Sequence, residues 1–251
     1  IEAKKTQSRL TAYFPDESLE NLKRKLQPLA QDGIEFDSLE RIPQGDWATA
    51  WKQYFKPLHL TDTIVIKPSW EDYQAQKQEI VVTLDPGMAF GTGQHDTTRF
   101  CALVLEELKS QNPHLTSLLD VGCGSGILAI IARKLGFQTV SGTDVDPAAI
   151  ETALENLERN LEAQPLSFFL TTGSLKEEKI KMADVVVANI IAETLCELKE
   201  SLVSCVKKPG FLVLSGILPE REDLVKSTFS DLELVDQKLS PHWHAYIYHQ
   251  K

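Results

Sequence analysis

The chain is poor in residues that staple, span or chelate. Four cysteines occur in 251 residues, Cys101, Cys123, Cys196 and Cys205. None is spaced from another as metal ligands are, and they sit mostly inside apolar runs. They read as buried, reduced thiols of a cytosolic protein rather than a disulfide framework. No run of about 18 apolar residues occurs, so no membrane-spanning helix is expected. No charged-then-apolar opening segment reads as a signal peptide. The six histidines offer no helical pair of metal ligands. His242, His244 and His249 crowd the C-terminus, where a strand with an exposed tail accounts for them better than a metal site. Basic charge is scarce too: 26 Lys and Arg face 36 Asp and Glu, a net charge of −10. Residues 1–60 carry nine of each sign and the remainder 17 basic against 27 acidic. Such a surface is a poor match for a phosphate backbone, whose counterions must be displaced by Lys and Arg clusters. No direct nucleic-acid binding is therefore expected; a basic protein or a small molecule suits the charge better. Repeats and low-complexity segments are also missing.

What is present is a change of period along the chain. At 42% apolar, 251 residues can bury a sizeable core in one or two domains. Arg9–Phe14 alternates like a strand. Leu19, Leu22, Leu26 and Leu29 recur at helical spacing after Asp16, an N-cap by type and position, and Ile34–Ile42 looks extended again. Residues 1–42 thus read as a small α+β domain. Pro43-Gln-Gly45 signals a turn, and Asp46 caps a linker helix within residues 43–60 whose Trp47 and Trp51 pack between domains.

From residue 61 onward, strands and helices alternate. Strands are expected at Thr63–Ile66, Ile80–Leu84, Ser117–Val121, Thr139–Thr143, Leu166–Leu170, Asp184–Ala188, Phe211–Gly216 and Ala245–Tyr248. Helices are expected at Thr98–Lys109, Gly126–Leu135, Pro147–Asn160, Ala192–Val206 and Glu220–Ser230. This alternation argues for an α/β fold, a doubly wound, mostly parallel sheet over residues 61–251. In such sheets a ligand lies at the carboxyl ends of the strands, beside the point where strand order reverses.

The motifs fall at those ends. Asp120-Val-Gly-Cys-Gly-Ser-Gly126 places three glycines, Gly122, Gly124 and Gly126, between an apolar strand and an apolar helix. Glycine lets backbone approach a ligand closely. The spacing is not the Gly-x-Gly-x-x-Gly of a nicotinamide-binding turn, and it points instead to S-adenosylmethionine. Asp144 ends the next strand, where a carboxylate accepts both ribose hydroxyls of an adenosine. Asp146, before Pro147, is a helix cap by position. Asn189-Ile-Ile-Ala192 ends another apolar strand. There an Asn either offers its side-chain oxygen to an attacking amine or caps the following helix, and spacing alone favours neither. It is similar to the Asn-Pro-Pro-aromatic motif of amino-group methyltransferases, with Ile190 and Ile191 in the proline positions. The Gly- and Thr-rich stretch Leu84–Arg99 leads into an amphipathic helix, where the Thr98 hydroxyl faces a carboxylate or Asp96 or Thr97 caps the helix.

Taken together, Leu84–Arg99, Asp120–Ala129, Gly142–Pro147, Val185–Ala192 and Leu214–Leu218 resemble the bacterial ribosomal protein L11 methyltransferase family. Asp46-Trp47 and the Trp51–Pro57 run look like that family's linker, and the resemblance covers about residue 43 to the C-terminus. It implies a class I methyltransferase sheet and S-adenosylmethionine as donor, leaving S-adenosylhomocysteine. Lysine and N-terminal amines of ribosomal protein L11 would be the acceptors, methylated repeatedly without a metal. By motif, the cofactor contacts are Thr98, Gly122, Asp144 and Asn189. Asn189 positions the amine, and His95 is the second candidate for a catalytic role. Where the family often has Gly-Thr-His-Pro-Thr, this chain reads Gly93-Gln94-His95-Asp96-Thr97. Residues 1–42 resemble about the second half of the family's ferredoxin-like recognition domain. A cytoplasmic monomer is expected. The alternatives are an amino-group methyltransferase for another protein or a small amine, a non-catalytic S-adenosylmethionine-binding module, and a nicotinamide-dependent oxidoreductase, against which the glycine spacing argues.

Overall fold

A computed structural model describes residues 21, 24, 52, 55–85, 95–160, 166–170 (backbone only), 175 and 180–251. The chain divides into two units, Ile1–Trp51 and Lys52–Lys251. In the first, Asn21 and Arg24 are helical and exposed. The rest of the expected α+β domain at 1–42, and most of the linker at 43–60, lie outside the described residues.

The second unit carries two sheets. A small one orders β1 (Leu58–His59), β2 (Ile64–Lys67) and β3 (Ile80–Thr83), antiparallel then parallel. The large one holds β4 (Ser117–Val121), β5 (Thr139–Asp144), β6 (Leu166–Leu170), β7 (Ala183–Asn189), β8 (Val206–Ile217), β9 (Glu233–Leu239) and β10 (His244–Gln250). Its order is β6-β5-β4-β7-β8-β10-β9. The first five strands pair in parallel, and β10 runs antiparallel to both β8 and β9. The helices are α1 (Asp96–Gln111), α2 (Ile127–Lys134), α3 (Pro147–Asn160), α4 (Ala192–Glu197), α5 (Lys199–Ser204) and α6 (Glu222–Thr228). The expected α/β, doubly wound, mostly parallel sheet is what forms.

Successive residues of a strand point to opposite faces, and here both faces are apolar. Leu118, Val185, Val187 and Val213 join one buried cluster with α1 and α2. Their neighbours Leu119, Val186, Ala188, Leu212 and Leu214 join the other. Burial on both sides is why these strands read as continuous apolar runs. Strand order reverses at β4, which lies between β5 and β7.

Two expected elements differ in extent. The helix foreseen over Ala192–Val206 is split at Leu198, whose backbone (φ −88°, ψ 3°) leaves the helical region. The hydrogen bonds Leu198 N–H to Thr194 and Leu202 N–H to Leu198 still span the kink. Strand β8 begins at Val206 rather than Phe211, running through Lys207-Lys-Pro-Gly210, a sequence that reads as a turn. Strand β9 was not foreseen.

Candidate active site

After β4 the chain turns through Gly122, Gly124 and Gly126, with φ of +72°, +52° and +77°. Side-chain-bearing residues pay about 1–2 kcal/mol in that region, which accounts for glycine at each alternate position. The turn is tied to the end of β5. The N–H groups of Gly122 and Cys123 donate to the Thr143 carbonyl at 2.8 and 3.0 Å. The Gly124 N–H donates to Asp144 Oδ2 at 2.9 Å, and the Asp146 N–H to Asp144 Oδ1 at 3.0 Å. Both carboxylate oxygens of Asp144 are thereby fixed in direction, and each keeps a further lone pair for a ligand. Asp146 accepts the Ala148 N–H at 2.9 Å and caps α3. The two neighbouring acids have separate tasks.

Beneath the turn, Asp120 is 1% exposed, and neither carboxylate oxygen has a hydrogen-bond partner among the described residues. Burial pushes its pKa up to about 7; the nearby Ala129 N–H works against this and the charge of Asp144 adds to it. From α3, Asn156 donates to the Ser125 carbonyl inside the turn.

A cavity of about 590 Å³ opens over this turn, at the carboxyl ends of the central strands. Gly122, Gly124, Asp144 and Val145 line one part of it, and Asn189, Ile190, Ile191 and Leu198 another. Gly216, Thr97, His95 and Trp243 also reach it. Asn189 ends β7 and pairs in register with Ser215 of β8. Ser215 donates its hydroxyl to the Thr97 carbonyl at 3.2 Å, tying α1 to the sheet. His95 stands at the N-cap of α1, with Nδ1 2.8 Å from Thr97 Oγ1 and its ring edge-on to Trp243 at 4.7 Å.

The structure therefore gathers Gly122, Gly124, Asp144, Asn189 and His95 around one space. Thr98 and Gly126 are not among its lining residues. Thr98 is buried one residue along α1, its hydroxyl unpaired among the described residues, and Thr97 faces the cavity instead. Gly126 is the N-cap of α2. Two contributors carried no signal read from the sequence, Asn156 and Trp243; Gly216 lay within the Leu214–Leu218 motif without a role of its own. For Asn156 a signal existed, since it shares the buried stripe of α3 with Ala149 and Ala153. The set fits an adenosine with a charged tail. Asp144 offers two oriented acceptors, Val145 and Ile190 offer apolar wall, and Gly122 has no side chain to intrude.

The sequence profile described as ribosomal protein L11 methyltransferase (PrmA) matches residues 1–251. The chain belongs to this family. As a PrmA-family member it is an S-adenosylmethionine-dependent methyltransferase. A ribosomal protein L11 methyltransferase of Clostridium botulinum (strain Eklund 17B / Type B) is 40% identical over 248 residues, 94% of this chain and 77% of the relative. That of Ruminiclostridium cellulolyticum is 45% identical over 194 residues, 77% of this chain and 60% of the relative. Among solved structures, the ribosomal protein L11 methylase of Lactobacillus delbrueckii subsp. bulgaricus superposes with a TM-score of 0.69 at 30% identity, covering 78% of this chain and all of the other. The N-methyltransferase NodS of Bradyrhizobium japonicum, solved with S-adenosylhomocysteine, shares the fold at 16% identity and a TM-score of 0.50, over 62% of this chain and 88% of its own.

Proposed function

We propose that this PrmA-family enzyme methylates the lysine and N-terminal amino groups of ribosomal protein L11, in the cytoplasm. One observation carries the chemistry. Asn189, at the end of β7, lines the same cavity as Gly122 and Asp144, so an amine held by the first lies within the space that receives the cofactor. The names of the relatives support L11 as the acceptor.

Asp144 holds the ribose hydroxyls, and Gly122 with Gly124 lets the cofactor lie against the backbone. On the α1 side Thr97, rather than Thr98, reaches the cavity, and Gly126 caps α2 directly after the glycine turn. The bound cofactor supplies a methyl group on a positively charged sulfur. Asn189 accepts a hydrogen bond from the acceptor amine through its side-chain oxygen and aims the nitrogen lone pair at that methyl. Holding the two partners in line is worth about 7–11 kcal/mol.

The amine must first be neutral. A lysine of pKa about 10.4 is roughly 3 units from neutrality at pH 7, near 5 kcal/mol, whereas a chain-terminal amine near 8 is about one unit away. The apolar lining of Ile190, Ile191, Leu198 and Trp243 disfavours the ammonium and supplies part of that shift. Water takes the proton, with His95 the second candidate.

Incubation with L11, with other ribosomal proteins and with methyl-labelled S-adenosylmethionine tests the acceptor. Label in L11 is expected. Label only in other proteins moves the acceptor elsewhere, and cofactor binding without any transfer leaves a binding module.

A further inference from the structure

Ile190 stands between two glycines with left-handed backbones. A Cβ on Gly122 would lie 2.5 Å from Ile190 Cγ2, and one on Gly216, at φ +84°, would lie 2.5 Å from the Ile190 carbonyl oxygen and 3.0 Å from its carbonyl carbon. The Ile190 side chain is therefore seated on Gly122 and its peptide lies against Gly216. Gly122 follows β4 and Gly216 lies near the end of β8, the two strands that flank β7. The contact thus grips the chain from both sides immediately after Asn189. Asn189 is held by its strand pairing with Ser215; beyond it, among the described residues, no backbone N–H donates to the Ile190 carbonyl, and close contact with the two glycines fixes that peptide. In amino-group methyltransferases with Asn-Pro-Pro-aromatic, proline rings stiffen this stretch. Here isoleucines occupy those positions.

We infer that Gly216 and Ile190 are positioning residues of the methyl transfer: the seat between Gly122 and Gly216 fixes where Asn189 and the Ile190 carbonyl meet the acceptor amine. The inference rests on the reading of Asn189 as the residue that holds the amine. A methyl group on Gly216 cannot be placed without moving the Ile190 carbonyl, and its positive φ adds strain. Trimming Ile190 leaves the peptide free to shift away from Gly122.

The test compares Gly216→Ala and Ile190→Ala in the full chain, by calorimetric titration of S-adenosylmethionine, thermal unfolding and steady-state kinetics on L11. For Gly216→Ala, cofactor affinity and the KM for L11 are expected to stay near the parent values; Ile190 also walls the cofactor cavity, so the kcat of Ile190→Ala is read at saturating cofactor. The kcat of Gly216→Ala should fall about 100-fold, the effect of misplacing a reacting group by about 1 Å, and that of Ile190→Ala by a smaller factor. A merely structural role would not lower kcat in a folded, cofactor-binding variant. If Gly216→Ala does not fold, Ile190→Ala decides alone. Parental kcat in a folded variant overturns the inference, as does a loss accounted for entirely by weaker cofactor binding. Failure of the underlying reading is distinct: it is a fully active Asn189→Ala.

Discussion

Asn156 donates its side-chain N–H to the carbonyl of Ser125 at 2.9 Å, and both residues are buried. The next turn of α3 extends the bracket. Asn160 donates to the Asn156 carbonyl at 2.7 Å and to the Thr83 carbonyl at 2.6 Å, and accepts the Thr83 N–H at 2.8 Å. One helix end thereby joins the last residue of β3 to the glycine turn. Asn156→Ala withdraws the donor that Ser125 faces in a buried site, at a cost of about 1–3 kcal/mol. Denaturant unfolding should register that loss, and titration with S-adenosylmethionine should show weaker binding. Asn156→Asp, which cannot donate, should behave alike; wild-type stability in both variants would show the bracket to be idle.

Asp120 gives the unliganded protein a pH dependence. Its pKa is raised to about 7, foremost by burial and further by the charge of Asp144 on β5. Cys123 in the turn and Cys101 on α1 also face it, their own thiol pKa values pushed up chiefly by burial. A carboxyl that binds its proton more tightly when folded stabilises the fold fully below its unfolded pKa, near 4, and loses that contribution as pH rises through about 7. Asp120→Asn, neutral at every pH, should therefore gain stability relative to the parent between pH 5 and 8. A difference independent of pH would mean that Asp120 does not titrate in this window.

Asp184 behaves oppositely at the other end of the sheet. Burial alone would raise its pKa, but the N–H groups of Thr116 and Ser117, the Ser117 hydroxyl and Lys207 together hold it well below the usual carboxylate range. The stability it contributes is present above its unfolded pKa, near 4, and is lost as pH falls below that value. Asp184→Ala should cost about 1–3 kcal/mol at pH 7, since it strands the N–H donors of Thr116 and Ser117, while the half-exposed Lys207 keeps its bond to the Ser117 hydroxyl. Urea midpoints at pH 7 and pH 3 check this: the gap between parent and variant should shrink in acid.

Ile191 accepts proline on geometric grounds. Its φ is −64°, it is 63% exposed, and its N–H has no backbone partner among the described residues. Ile191→Pro should retain methyl transfer and add up to about 1 kcal/mol by restricting the unfolded chain. Thermal unfolding together with turnover would show it; loss of turnover in a folded variant would mean that this segment must move.

The sequence was legible where a single element carries its own signal. Strands β4 and β7 are buried on both faces and read as apolar runs, and the glycine turn announces its backbone by composition. Strand β9, Glu-Leu-Val-Asp-Gln-Lys-Leu, escaped notice because nearly all its residues are exposed. It is an edge strand held by backbone pairing to β10, which leaves no apolar face to detect. The kink at Leu198 and the early start of β8 depend on neighbours distant in sequence. So does the pairing of Gly216 with Ile190: the glycine was visible, but its contact exists only once β7 and β8 lie side by side. Thr97 and Thr98 illustrate the limit of register, since one residue along a helix turns a side chain by about 100°, enough to exchange a cavity wall for the core.

The account stands on Asn189 and Asp144 serving one methyl transfer from opposite parts of a single cavity. Intact-mass spectrometry of L11 after incubation with S-adenosylmethionine and the full chain, its Asn189→Ala form or its Asp144→Ala form tests this most directly. The parent should add mass in steps of one methyl group. Asp144→Ala should need far more cofactor to reach the same extent, and Asn189→Ala should bind cofactor yet leave L11 unmodified. Full methylation by Asn189→Ala, or cofactor affinity undiminished in Asp144→Ala, would contradict it.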